Sequence, residues 1–207
     1  MILFLDVVII VGLFFLFGLS HTVLASRIVK QKIADTSGDR IAFFRLFYNV
    51  SSIIIFILIW IIAPKPSVII YDLQYPFDLI IYGLQIVSLG GFLWAGSQID
   101  LYEFLGVNQI KRFMKNNYNP NELDEISKFT VKGAFKYSRH PIYFFSILFL
   151  GFRPTMDLFY LTAYICIVIY FIVGSIYEER KMVIMFGDEY ISYQRNVPRF
   201  IPFKIFK

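Results

Sequence analysis

Apolar positions in this chain fall in long blocks rather than in the alternation of a half-buried strand or the stripe of a surface helix. The first block covers residues 2–25 and is broken only by Asp6 near its outer end and by Ser20-His21. A second covers 43–63 and is closed by Pro64-Lys65-Pro66; a third covers 77–96. Each has the ~20 residues that a helix needs to cross a bilayer. A fourth, 141–177, is interrupted at Gly151-Phe152-Arg153-Pro154, a turn signal that folds it into a helical hairpin. Its second limb, 155–177, is long enough to span. Its first, 141–152, reaches only ~18 Å at 1.5 Å per residue, so it either begins earlier or is partly re-entrant. The pattern predicts an all-α integral membrane protein of about five transmembrane helices, the last two a helical hairpin. One domain, 1–207, is expected, with three membrane helices in 1–97 and the polar, functional half in 98–207.

Composition agrees with a bilayer setting. Of the 207 residues 57% are hydrophobic and 19% aromatic, with a mean hydropathy of +0.63, against 45–50% apolar in a typical soluble domain. The net charge of +5 would suit nucleic acid, but the placement of the charges points elsewhere. Eighteen of the 20 Lys and Arg fall in the loop after the first block with its flank as far as Arg45, in 97–140, or in the C-terminal tail; only Lys65 and Arg153 fall on the other side. By the positive-inside rule this puts the N-terminus outside and the C-terminus in the cytoplasm, in a bacterial inner membrane. The first block has no basic n-region or small-residue cleavage site, so it reads as a retained helix. The lone Cys166 allows no intrachain disulfide and no cysteine pair for a metal. No Gly-rich phosphate loop or HExxH motif is present, so no metal site is expected, and where the charges fall argues against nucleic acid. The partners are the lipid bilayer and a small-molecule or lipophilic acceptor; no obligate protein partner is implied.

The candidate chemistry lies at two charged clusters. In "KYSRHPIYFF", Lys136, Arg139 and His140 stand directly before an apolar run, with Pro141 at the position where a helix starts best. Glu178-Glu179-Arg180 follows the hairpin's second limb. Two carboxylates at the C-terminal end of a membrane helix are unfavourable, both for burial and for the helix dipole. Closing the hairpin would bring the acidic pair beside the basic cluster, giving both signs of charge at one cytoplasmic spot, as a zwitterion requires.

Gly133, Tyr137, Arg139, His140, Pro141 and Tyr143 resemble the "G-x-x-x-Y-x-R-H-P-x-Y" signature of the membrane methyltransferases related to isoprenylcysteine carboxyl methyltransferase. A second block of that superfamily is similar to Glu178-Glu179, then Phe186-Gly187-Asp188-Glu189-Tyr190, Tyr193, Val197-Pro198 and Ile201-Pro202. Further blocks resemble its methanethiol S-methyltransferase branch: residues 20–25 around His21, 100–109 ending in Asn108-Gln109, and Pro154-Thr155-Met156. Asn108 stands where that branch carries arginine and Thr22 where it carries serine. Gly174 stands where eukaryotic isoprenylcysteine enzymes carry an arginine, which favours the thiol branch.

The resemblance implies S-adenosyl-L-methionine as cofactor, in a pocket at the cytoplasmic membrane surface. It places Tyr137, Arg139, His140, Pro141, Tyr143, Glu178, Glu179, Tyr190 and Tyr193 around that cofactor. The implied reaction is methyl transfer to a small thiol such as methanethiol. A thiol reacts as thiolate, which makes His21 or Glu179 the candidate proton acceptor and Arg45 the candidate stabiliser of the anion. Three alternatives stand beside it: methylation of an isoprenylcysteine carboxylate or a lipid, a non-enzymatic NnrU-like membrane protein, and a sterol-reductase-like enzyme using NADPH.

Overall fold

A computed structural model describes residues 2–120, 123 and 129–202. Lys128, Lys204 and Lys207, which entered the charge pattern, lie outside the described residues. The described chain is mainly helical: α1 (Ile2–Ala25), α2 (Arg27–Ser37), α3 (Phe44–Ile62), α4 (Phe77–Gly96), α5 (Leu101–Leu105), α6 (Val107–Met114), α7 (Pro141–Gly151) and α8 (Leu158–Asn196). Among the described residues four helices are long and apolar enough to cross a membrane, and α7 is a shorter apolar one. They coincide with the apolar blocks of the sequence. Their side chains are largely uncovered by protein: Phe4, Phe15, Ile61, Ile86 and Val87 are exposed, as helices facing lipid require.

Two strands depart from the all-α expectation. β1 (Ile69–Asp72) and β2 (Thr155–Asp157) pair antiparallel, with Ile69 opposite Asp157 and Asp72 opposite Thr155. Thr155 Oγ1 donates to Asp72 at 2.6 Å, and Leu158 N–H donates to the Val68 carbonyl. Runs of three and four residues are too short for periodicity to announce. The ribbon also accounts for the short limb of the hairpin. α7 begins at Pro141, not earlier, and rises only ~16 Å. The chain then continues extended through β2, where each residue advances ~3.3 Å.

The elements group into two compact units, residues 1–64 with 100–128 and residues 65–99 with 129–207. In the first unit α1 packs along α3, with Phe14 and Phe17 edge-on to Phe56. Gly106, at φ 93°, ends α5 and opens α6; a Cβ there would meet the Leu46 backbone nitrogen at 2.7 Å. Only glycine allows this approach, and it sets the Phe104 carbonyl where Arg45 Nε donates at 2.8 Å and Asn49 at 3.0 Å. In the second unit α4 packs on α7, with the Phe145 ring against Gly91 and Gln85 donating to the Phe149 carbonyl. The third apolar helix therefore packs with the C-terminal elements. Lys65 and Arg153, the two outlying cations of the charge pattern, lie over the adjacent rings of Phe159 and Tyr160 in the first turn of α8. From Leu158 to Glu178 that helix rises ~30 Å, the thickness of a hydrocarbon core.

Candidate functional site

α8 does not end at the glutamate pair. It continues to Asn196, and inside it Gly187 adopts φ 54°, ψ −131°, a conformation open to glycine almost alone. Gln194, fifteen residues after Glu179, nevertheless donates to its Oε2 at 2.9 Å. A straight helix would hold the two ~22 Å apart, so the chain reverses at Gly187 and the segment after it returns along the one before. This corrects the expectation that the carboxylates cap a helix C-terminus, and the dipole argument built on it falls away. A Cβ on Gly187 would meet nothing within 4 Å, so Gly187→Ala should cost stability through backbone strain alone, about 1–3 kcal/mol. Asparagine should do no better, because ψ −131° lies outside the left-handed helical region that asparagine tolerates. Unfolding in detergent, followed by circular dichroism, checks this; equal stability of all three proteins would rule out the strained reversal.

The reversal assembles a charged cluster around Glu179, which is 3% exposed. Arg139 donates to it through Nε at 2.9 Å and Nη2 at 3.2 Å. Arg199 donates through Nε at 3.2 Å and Nη2 at 3.1 Å, and His140 Nε2 lies 3.0 Å from Oε1. With Gln194, four side chains satisfy both carboxylate oxygens. Arg139 also donates through Nη1 to the carbonyls of Gln194 and Val197, both at 2.7 Å, and its own N–H and that of His140 donate to the Pro198 and Arg199 carbonyls. The arginine thus clamps the returning segment to the start of α7. Burial alone would raise the Glu179 carboxyl, but the hydrogen bonds from His140, Arg199 and Arg139 outweigh it and hold it well below the usual carboxylate range. Burial alone would lower His140; the hydrogen bonds to Glu178 and Glu179 outweigh it and raise the imidazole above its ordinary value.

Glu178 differs from its neighbour. Its side chain is 53% exposed, 3.4 Å from His140 Nδ1, and it accepts a hydrogen bond from the Tyr143 hydroxyl. Tyr143 in turn stacks between His140 and Phe171. So Arg139, His140, Pro141, Tyr143, Glu178 and Glu179 converge as the motif spacing implies. Tyr190 and Tyr193 are buried on the returning segment against Phe129, and the Tyr193 hydroxyl donates to the Phe135 carbonyl. Tyr137 is exposed beside Trp94. Gln194 and Arg199 also belong to the cluster, and the only local signal for either is a cation one residue after Pro198.

His21 and Arg45 lie in the first unit. The Tyr48 hydroxyl is 2.7 Å from His21 Nε2 and 2.8 Å from Nδ1, and the two rings pack at 4.6 Å. Arg45 borders a pocket with Tyr48, Lys30, Ile41, Phe44 and Gln109. Behind it Glu103 is buried and paired with Arg112 through two contacts of 2.9 Å.

The residues fit S-adenosylmethionine in kind. A half-exposed carboxylate, Glu178, keeps lone pairs for ammonium or ribose hydroxyl donors, and Arg199, with a side chain 36% exposed, carries N–H groups for a carboxylate.

The chain is 29% identical over 194 residues to methanethiol S-methyltransferase 1 of Bradyrhizobium diazoefficiens, a match covering 91% of this chain and 64% of that protein. It is 28% identical over 204 residues to the methanethiol S-methyltransferase of Crocosphaera subtropica, covering 93% and 73%. It is 24% identical over 190 residues to that of Pseudomonas deceptionensis, covering 90% and 69%. The chain thus spans just under two thirds of the length of the Bradyrhizobium protein. No family model matches it, and no solved structure does. The resemblance to the methanethiol S-methyltransferase branch holds along nine-tenths of the chain.

Proposed function

We propose that this protein is a membrane methyltransferase that moves a methyl group from S-adenosylmethionine to a small thiol such as methanethiol. The observation that carries the reading is the similarity, along nine-tenths of the chain, to three bacterial proteins named for that reaction. When bound, S-adenosylmethionine supplies an electrophilic methyl group on a sulfonium, and a thiolate that takes it becomes a thioether.

The protein's own residues divide the work. Glu178 and Arg199 hold the amino-acid and ribose groups of the cofactor. Glu179 is the hub that positions them: with both oxygens engaged and its carboxyl held anionic, it makes a poor proton acceptor. His140, set between two carboxylates, fixes the orientation of Glu178. The acceptor's proton goes instead to the His21–Tyr48 pair, and Arg45 offsets the thiolate charge. Holding donor and nucleophile in register lowers the barrier by several kcal/mol, about 7–11 at best. The chain sits with its N-terminus outside and the charged cluster at the cytoplasmic surface, as the 18-to-2 split of Lys and Arg supports.

The test is purified protein with S-adenosylmethionine and methanethiol, with dimethyl sulfide measured in the headspace. Thioether formation, together with thermal stabilisation by S-adenosylhomocysteine but not by NADPH, is the expected result. Methyl-ester formation on a prenylcysteine without any thioether would reassign the acceptor. Neither product, and no stabilisation by S-adenosylhomocysteine, would overturn the reading.

A further inference from the structure

The last turn of α4 carries an aromatic pair that the methyl-transfer chemistry leaves unused. Ile80, Val87 and Trp94 follow one another at two-turn steps and so share one face of that helix. All three are exposed, and the indole closes a stripe of side chains turned to lipid. Its ring lies 6.5 Å from that of Tyr137, which is 58% exposed. The 3-10 turn at Gly133–Lys136 brings Tyr137 here. A Cβ on Gly133 would meet the Gln98 side chain at 2.8 Å, so the turn rests directly on the residues that follow α4. Among the described residues neither the Trp94 N–H nor the Tyr137 hydroxyl has a hydrogen-bond partner.

Depth and charge decide what meets this pair. α4, and α8 as far as Glu178, each rise ~30 Å, one hydrocarbon core. Trp94, Tyr137 and Tyr177 therefore fall where lipid headgroups begin. Tyr177 is exposed, and the Arg180 guanidinium lies 5.7 Å over its ring. Such rings settle at that level because the apolar body meets acyl chains while the N–H or O–H reaches a headgroup or water. The charges beside the pair have one sign. Residues 92–99 and 129–140 carry Lys132, Lys136 and Arg139 and no carboxylate, and both lysines are exposed. The opposite end of the same unit sets Lys65 and Arg153 against Asp72, Asp78 and Asp157. An indole N–H and an ammonium only donate, and a phenol donates readily. The corner thus suits phosphodiester oxygens and offers no carboxylate to the ammonium of a zwitterionic headgroup.

We propose that Trp94, Tyr137, Lys132 and Lys136 form a headgroup site for an anionic phospholipid, in the leaflet on the side of the charged cluster. This moves Tyr137 from the cofactor, where the motif resemblance puts it, to the membrane. The site goes beyond the methyl-transfer reading and depends only on the chain lying in a bilayer, not on the acceptor. Tyr137 stands two residues before Arg139, and Ser138 Oγ between them donates to the Arg199 carbonyl at 3.0 Å. A lipid held at Tyr137 therefore also steadies the segment that closes on Glu179.

Full-length Trp60→Phe keeps Trp94 as its sole tryptophan. It is reconstituted into bilayers of phosphatidylcholine and phosphatidylglycerol, with one lipid or the other brominated close to its headgroup. Quenching of Trp94 fluorescence then reads which lipid touches the ring. Phosphatidylglycerol should be preferred about three- to tenfold, as one or two lysines near an anionic headgroup would give, and the preference should shrink at high salt. Lys132→Gln combined with Lys136→Gln should reduce it to less than about twofold, whereas Lys65→Gln, at the opposite end, should leave it unchanged. Equal quenching by the two lipids, or a preference that survives the double variant, would overturn the proposal. Relief of the lipid quenching by S-adenosylhomocysteine would also overturn it, because the ring pair would then belong to the cofactor. If Trp60→Phe fails to fold, the difference between wild type and Trp94→Phe gives the same quenching. None of these readouts needs turnover, so failure of the methyl-transfer reading and failure of the lipid site are told apart.

Discussion

Glu179→Gln will destabilise the protein by about 3–5 kcal/mol, the cost of removing one partner from a buried ionic cluster. Arg139, with 10% of its side chain exposed, would keep its charge without the carboxylate that it is paired to. The loss also has a pH signature. Glu179 titrates below its ordinary range when folded, so its contribution is complete above that range and disappears as pH falls through the folded value. His140 titrates above its ordinary value, so its contribution is complete below about 6.5 and disappears as pH rises through the raised value. Wild-type stability should therefore peak between about pH 5 and 6.5, and the alkaline decline should shrink in Glu179→Gln, whose histidine has lost its closest carboxylate. Thermal unfolding in detergent from pH 4 to 9 measures both. A variant within about 1 kcal/mol of wild type, with an unchanged profile, would show that the cluster is held by hydrogen-bond geometry and not by charge.

The second large effect is on turnover. If the acceptor is a thiol, the rate at low thiol concentration should rise about tenfold per pH unit below the thiol pKa, so roughly a hundredfold between pH 6 and 8. Dimethyl sulfide production at fixed S-adenosylmethionine measures it. A carboxylate acceptor is fully ionised across that range, and a flat profile would exclude the thiol.

How much of this was legible along the chain depends on the range of the interaction involved. The long helices were, because burial in lipid demands runs of ~20 apolar residues, and such runs announce themselves. The start of α7 was legible only in part: Pro141 suits a first helical position, but the shortness of the limb also allowed an earlier start, and the helix begins at Pro141. Convergence of Arg139-His140 with Glu178-Glu179 was, because a short turn at 151–154 leaves little choice. Nothing local marks Gly187 as a reversal: it stands between Phe186 and Asp188, and only its backbone angles give the turn away. Without that turn Gln194 and Arg199 read as surface polar residues, and Glu178 and Glu179 read as an equivalent pair. In the fold one is saturated and buried, the other half open.

The reversal at Gly187 also fixes the order in which the cluster can be completed as the protein is made. Arg139 and His140 leave the ribosome some forty residues ahead of Glu179, but Gln194 and Arg199 follow it by fifteen and twenty. At 5–20 residues per second the carboxylate waits about a second or more for its last donors. Until then it must stay hydrated, because a partly paired charge is poorly tolerated in a closed environment. The helices can therefore insert while the ligand site is still open to water, and the site closes only once the segment after Gly187 has been made. A ribosome stalled near Gly187 would leave a threaded but inert protein whose unpaired cationic clamp marks it as unfinished.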